Sequence, residues 1–119
     1  MTSSHFDTMM LSRGLMNRIE MLNNFLQQNP DDAFARYGLA LEYANSGDTE
    51  TALAEFQKLL QINPDYTAGY QMAAQTLMRT GRTDEARQML GQGIACAQRT
   101  ANRHAQSEME GMLDELVER

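Results

Sequence analysis

Residues 33–64, AFARYGLALEYANSGDTETALAEFQKLLQINP, decide the fold. Leu39, Ala40 and Tyr43 recur at helical spacing in the first half, and Ala52, Phe56, Leu59 and Leu60 do the same in the second. Each half therefore has one face to bury. Between them stands Ser46-Gly47-Asp48. Gly47 suits the left-handed conformation that closes a helix, and Asp48 offers a side-chain oxygen to the free amides of the next one. Stop and start are adjacent, so the spacing predicts a tight antiparallel hairpin. Ala40 and Ala52 put small residues on both apolar faces, which allows helix axes to approach to roughly 8–10 Å.

The same pattern returns 34 residues later. Asn29-Pro30-Asp31 falls on Asn63-Pro64-Asp65, Leu26 on Leu60, Ala40 on Ala74, Gly47 on Gly81, Ala52 on Ala86 and Phe56 on Leu90. A fixed period of this length is the mark of a repeat architecture, in which hairpins stack to bury a shared core. Period and pattern together resemble the tetratricopeptide repeat family. The first unit supplies Leu39, Ala40, Tyr43, Gly47, Asp48, Ala52, Phe56 and Pro64 of its signature; the second supplies Tyr70, Ala74, Leu77, Gly81, Ala86 and Leu90. Three positions depart from it. Arg36 stands where the family carries a large aromatic, Leu59 replaces a small residue, and Gln98 stands where the second repeat should end in proline.

The resemblance implies an all-α fold, a right-handed α-solenoid of stacked antiparallel helix hairpins with about six helices. It also implies a concave wall lined by the first helix of each repeat. Carried over position by position, that wall takes Tyr37, Leu41, Ala44 and Asn45 from the first repeat and Gln71, Gln75, Met78 and Arg79 from the second. The apolar members supply area, and the amides and guanidinium are suited to a ligand backbone. Family members that grip the carboxylate tail of heat-shock chaperones use lysine, asparagine and arginine; the matching places here hold Tyr37, Leu41, Gln71, Met72 and Gln75, so that clamp is absent. The expected function is protein–protein interaction, as an adaptor or scaffold that binds a peptide or helix of a protein partner. The alternative is self-assembly through the end helices or the Met-rich N-terminal arm.

In chain order, residues 1–12 read as a flexible arm bearing Phe6, Met9, Met10 and Leu11. A single helical domain then covers 13–119: a cap helix at 13–29, repeat one at 33–64, repeat two at 67–98 and a C-terminal cap helix at 102–118. Arg18 falls at the small-residue position of Ala52 and Ala86, as expected of the second helix of a repeat whose first helix is missing. Gly81 breaks the second hairpin and Thr83 is the expected cap of its second helix. Gly91 and Gly93 weaken that helix by about 1 kcal/mol each relative to alanine; close packing explains Gly93 but not Gly91. Ala105, Met109, Met112, Leu113 and Leu116 line one side of the last helix.

Composition narrows the function. At 119 residues the chain suits one domain. Ten basic against sixteen acidic residues give a net charge of −6, which disfavours nucleic acid and anionic membrane as partners. No run approaches the roughly 18 apolar residues of a membrane helix. The N-terminus carries an acid at Asp7 and no sustained apolar core, which makes it a poor signal peptide, and one cysteine, Cys96, cannot form an internal disulfide, so a cytoplasmic setting is expected. No residues with catalytic, cofactor-binding or metal-ligand spacing are found; His104 and Glu108 read as a solvated pair and Cys96 as an inert thiol. The expectation is a non-enzymatic monomer or weak homodimer without cofactor.

Overall fold

The computed structural model describes residues 18–118. These form six helices and, among the described residues, no strand: α1 (residues 18–28), α2 (Ala33–Asn45), α3 (Thr49–Ile62), α4 (Thr67–Arg79), α5 (Thr83–Arg99) and α6 (Arg103–Glu118). They make an all-α solenoid in which α2 packs on α3, α4 on α5 and α5 on α6. The arm expected at residues 1–12 lies outside the described residues.

The turns show why the hairpins are tight. Gly47 and Gly81 adopt φ of 87° and 74°, a region costly for residues with a Cβ. At each, two backbone bonds close the helix: Gly47 N to Ala44 O (3.2 Å) with Asp48 N to Tyr43 O (3.0 Å), and Gly81 N to Met78 O (3.2 Å) with Arg82 N to Leu77 O (2.9 Å). Asp48 Oδ1 then accepts from Thr51 N at 3.3 Å, the expected cap. Thr83 is not a cap. It lies inside α5, behind an N-cap at Arg82 that makes no side-chain capping bond. Instead Asp84 and Glu85 set negative charge in the first turn, and Arg82 bonds Glu85.

Three departures from the repeat pattern have compensations. Arg36 donates from Nη1 to Glu55 Oε1 at 2.7 Å and from Nη2 to Pro30 O at 3.1 Å. One repeat later, the Tyr70 hydroxyl donates to Pro64 O at 2.8 Å. A guanidinium and a phenol therefore fasten the first helix of each repeat to the equivalent proline carbonyl, Pro30 O in the first and Pro64 O in the second. Leu59, large where the pattern is small, is fully buried because Gly69 faces it: a Cβ built on Gly69 would lie 2.9 Å from Leu59 Cδ2. At Gln98, where no proline stops the chain, α5 runs on to Arg99 and ends in a third copy of the hairpin turn. Ala101 (φ 57°) takes the glycine's place, with Ala101 N to Gln98 O at 3.2 Å and Asn102 N to Ala97 O at 2.8 Å. Asn102 Oδ1 then caps α6 at Ala105 N.

The core is continuous along the stack. Leu26, Ala35 and Leu39 join α1 to α2; Ala40, Ala52, Phe56, Leu59 and Ala73 join the first repeat to α4; Leu77, Leu90, Cys96, Met109 and Leu116 bind the second repeat to α6. Gly93 is small for a reason visible here, since a Cβ on it would meet Met109 Sδ at 2.5 Å and Tyr70 Cβ at 2.8 Å. Arg18, the first described residue of α1, is exposed and pairs with Glu42 at 3.0 Å.

Candidate functional site

Curvature follows from which helices touch. The backbones of α2 and α4, and of α4 and α6, approach directly, whereas those of α3 and α5 do not. The first helices are crowded together and the second helices splayed, so the stack bends around an inner wall of α2, α4 and α6 and opens on its outer side.

On α2, Tyr37, Leu41 and Ala44 are half-buried and pack beside Met72 and Tyr66, while Asn45 is exposed at the helix end. The Tyr37 and Tyr66 rings lie 5.2 Å apart, tilted by 45°, within the range where aromatic pairs attract. Burial pushes both phenols above the usual tyrosine value, helped at Tyr66 by Tyr37 and Asp32. Both therefore stay neutral hydrogen-bonding groups across the working pH range. On α4, Met78 is half-buried against the second-repeat core, Gln75 and Arg79 are exposed, and Gln71 Nε2 donates to Glu108 Oε1 of α6 at 3.3 Å. Tyr37, Leu41 and Ala44 are thus brought together; Gln71 faces α6, and Asn45 and Arg79 sit near helix ends.

Two features of this wall escaped the sequence reading. Phe34 precedes Tyr37 and Leu41 by three and seven residues, hence on their face, and is 77% exposed. The i, i+3, i+7 spacing carried that signal. The other is α6 itself. Ala105 and Met109 are buried in α6 as Ala35 and Leu39 are in α2, but α6 starts 36 residues after α4, two beyond the repeat interval. That slip, caused by the longer α5, hid a third helix of the wall.

The outer opening holds a cleft of about 610 Å³ between α3 and α5. Its floor is Tyr70, Ala73 and Leu77 of α4; its walls include Gln57 and Gln61 of α3 and Gln88 and Gln92 of α5. At one end Arg82 bridges the helices, donating to Glu50 Oε2 at 2.5 Å and to Glu85 Oε1 at 2.7 Å. The hydrogen bonds from Arg82 hold the Glu85 carboxyl below its usual range. Cys96 is buried with Thr67 Oγ1 3.3 Å from its sulfur, and His104 and Glu108 are an exposed pair 3.5 Å apart. Among the described residues no three His, Cys, Asp or Glu side chains converge as metal ligands.

The tetratricopeptide repeat family matches residues 43–107, more than half of the chain, and a second pattern of the same family matches residues 27–58. The chain belongs to the tetratricopeptide repeat (TPR) family. A TPR repeat-containing protein of Pseudomonas aeruginosa is 33% identical over 98 residues, spanning 82% of this chain and 93% of that one. A TPR domain protein from Salinibacter ruber, solved in solution, matches with a TM-score of 0.68 at 32% identity over 73% of this chain and 88% of that one. PcrH, solved in complex with the chaperone binding region of PopD, shares the fold with a TM-score of 0.80 over 98% of this chain and 94% of that one, at 14% identity. The two hairpins α2–α3 and α4–α5 carry the repeat pattern, with α1 before them and α6 after them.

Proposed function

We propose that this TPR chain is a non-enzymatic protein-interaction module that holds a peptide or helix of a partner protein along the inner wall, as an adaptor or scaffold. The observation that carries this reading is chemical. Phe34 is 77% exposed and Tyr37 and Leu41 half-buried on α2, while α4 of the same wall carries half-buried Met78 with the exposed amide of Gln75 and guanidinium of Arg79. Such a surface offers area together with groups that satisfy a ligand backbone. PcrH, of like fold, is solved with a segment of PopD, and the TPR2B domain of yeast Sti1, of like fold, with a pHsp70 partner. With two full repeats the wall is short, and micromolar affinity is expected, about 8 kcal/mol. No helix among the described residues is long and apolar enough to cross a membrane. The single unpaired cysteine supports a cytoplasmic setting.

The test is capture of a partner from the native host. Tyr37→Ala with Gln75→Ala is expected to abolish capture while circular dichroism stays unchanged. Because Tyr37 also packs on Tyr66, the exposed pair Gln75→Ala and Arg79→Glu is the companion variant and is expected to weaken capture at an unaltered melting temperature. Loss of capture only on changing α3 or α5 overturns the assignment. A second reading, self-association through an end helix, is favoured by Met21 and Phe25, 64% and 46% exposed one turn apart on α1. Light scattering of the full chain beside Met21→Gln/Phe25→Gln decides it: a dimer lost in the variant supports self-assembly, and a monomer in both ends that reading.

A further inference from the structure

We infer that the outer cleft between α3 and α5 is a second binding surface, shaped for an extended polypeptide segment of a partner, gripped through its backbone and carrying a cationic side chain at the Glu50 end. Gln57 and Gln61 stand one turn apart on α3, and Gln88 and Gln92 one turn apart on α5. Two glutamine ladders therefore face each other across a floor of Tyr70, Ala73 and Leu77. Among the described residues, the glutamines whose side chains have a hydrogen-bond partner are Gln71, bonded to Glu108, and Gln106, bonded to Glu110. The four in the cleft make no hydrogen bond among the described residues. Each primary amide offers two donors and an acceptor, which is what the alternating N–H and C=O groups of an extended chain require, whatever its side chains.

Dimensions and charge fit the same occupant. From Glu50 to Gln61 the α3 wall is roughly 17 Å long at 1.5 Å per residue, which takes about five residues of extended chain at 3.3 Å each. A volume of about 610 Å³ lies within the ordinary range of ligand sites. Alternate side chains of the guest turn down to the apolar floor. At the end of the cleft Arg82 is shared between two carboxylates, Glu50 and Glu85, leaving one uncompensated negative charge. Glu50 is the more open of the two, its side chain 81% exposed. A guest lysine or arginine complements that end.

The probe is the acetylated and amidated peptide Lys-Leu-Ser-Leu-Ser-Leu, titrated into the ¹⁵N-labelled full chain. The expected result is saturable movement of the side-chain amide signals of Gln57, Gln61, Gln88 and Gln92. Gln57→Ala with Gln88→Ala should weaken binding about tenfold at an unchanged melting temperature. The backbone N-methylated peptide should lose about as much, and replacing its lysine by glutamate should weaken binding further. Tyr37→Ala with Gln75→Ala on the inner wall should leave this binding intact, which keeps its outcome separate from that of the proposed function. Absence of any saturable shift up to about 1 mM, equal binding of the N-methylated peptide, or shifts confined to α2 and α4 would overturn the inference. Movement of the same amides on concentrating the chain alone would assign the cleft to a second copy and overturn it too.

Discussion

Arg36 and Tyr70 solve one problem by different chemistry, and the solutions differ in what they cost. Tyr70 brings a neutral hydroxyl to Pro64 O, whereas Arg36 brings a charge into a site where its side chain and that of Glu55 are only 13% and 12% exposed. Its Nε is buried without a partner. Removing one member of a buried pair strands the other, so Glu55→Ala is expected to lower stability by about 3 kcal/mol. Replacing both, as Arg36→Leu with Glu55→Met, should recover most of that loss, because a well-packed apolar pair avoids desolvating two charges. Urea denaturation of the three variants checks both statements. The third turn offers the converse case. Ala101 holds a left-handed conformation that costs a residue with a Cβ about 1–2 kcal/mol, while glycine in the unfolded chain loses roughly 0.5–1 kcal/mol through extra entropy. Ala101→Gly should therefore stabilise the chain by about 0.5 kcal/mol; a lower melting temperature would refute this account of the turn.

Among the elements, α5 carries two glycines that look alike in sequence and differ in surroundings. Gly93 lies against Tyr70 Cβ and Met109, and Tyr70 Cβ is too near the backbone to give way. Gly93→Ala is expected to destabilise by about 1–2 kcal/mol, overpacking outweighing the gain in helix propensity. Nothing lies within 4 Å of a Cβ on Gly91. Gly91→Ala should stabilise by about 0.5–1 kcal/mol, the ordinary helical preference. Thermal melts of the pair should move in opposite directions. The length of α5 has a cause of its own: without a proline at Gln98 the helix continues until Thr100 and Ala101 turn it. That added turn shifts α6 by two residues and breaks the register in which the sequence showed its repeats.

At the scale of the whole molecule, each helix is held by its neighbours along the stack, so protection should follow position. α4 touches α2, α3, α5 and α6, and its Ala73, Ala74 and Leu77 are buried. Its amides are expected to exchange slowest with solvent, and those of α1, which among the described residues packs through Ile19, Leu22 and Leu26, fastest. Uniform protection across the six helices would mean that the stack opens as one unit.

Much of this was legible in the chain because it depends on local rules. The hairpin turn at Gly47 and its copy at Gly81 need residues that tolerate positive φ, and the stripes of Leu39, Ala40 and Tyr43 or Ala52 and Phe56 need helical spacing; both are properties of neighbours in sequence. Period and spacing therefore determined that the protein is an all-α stack and which faces are buried. What the folded structure alone decided depends on residues far apart. The pairing of Arg36 with Glu55, the room that Gly69 gives Leu59, the crowding of first helices against the splay of second ones, and the cleft they open between α3 and α5 arise from distances between helices. A repeat pattern records which side chains turn inward, but not how far apart the backbones settle once those side chains have packed.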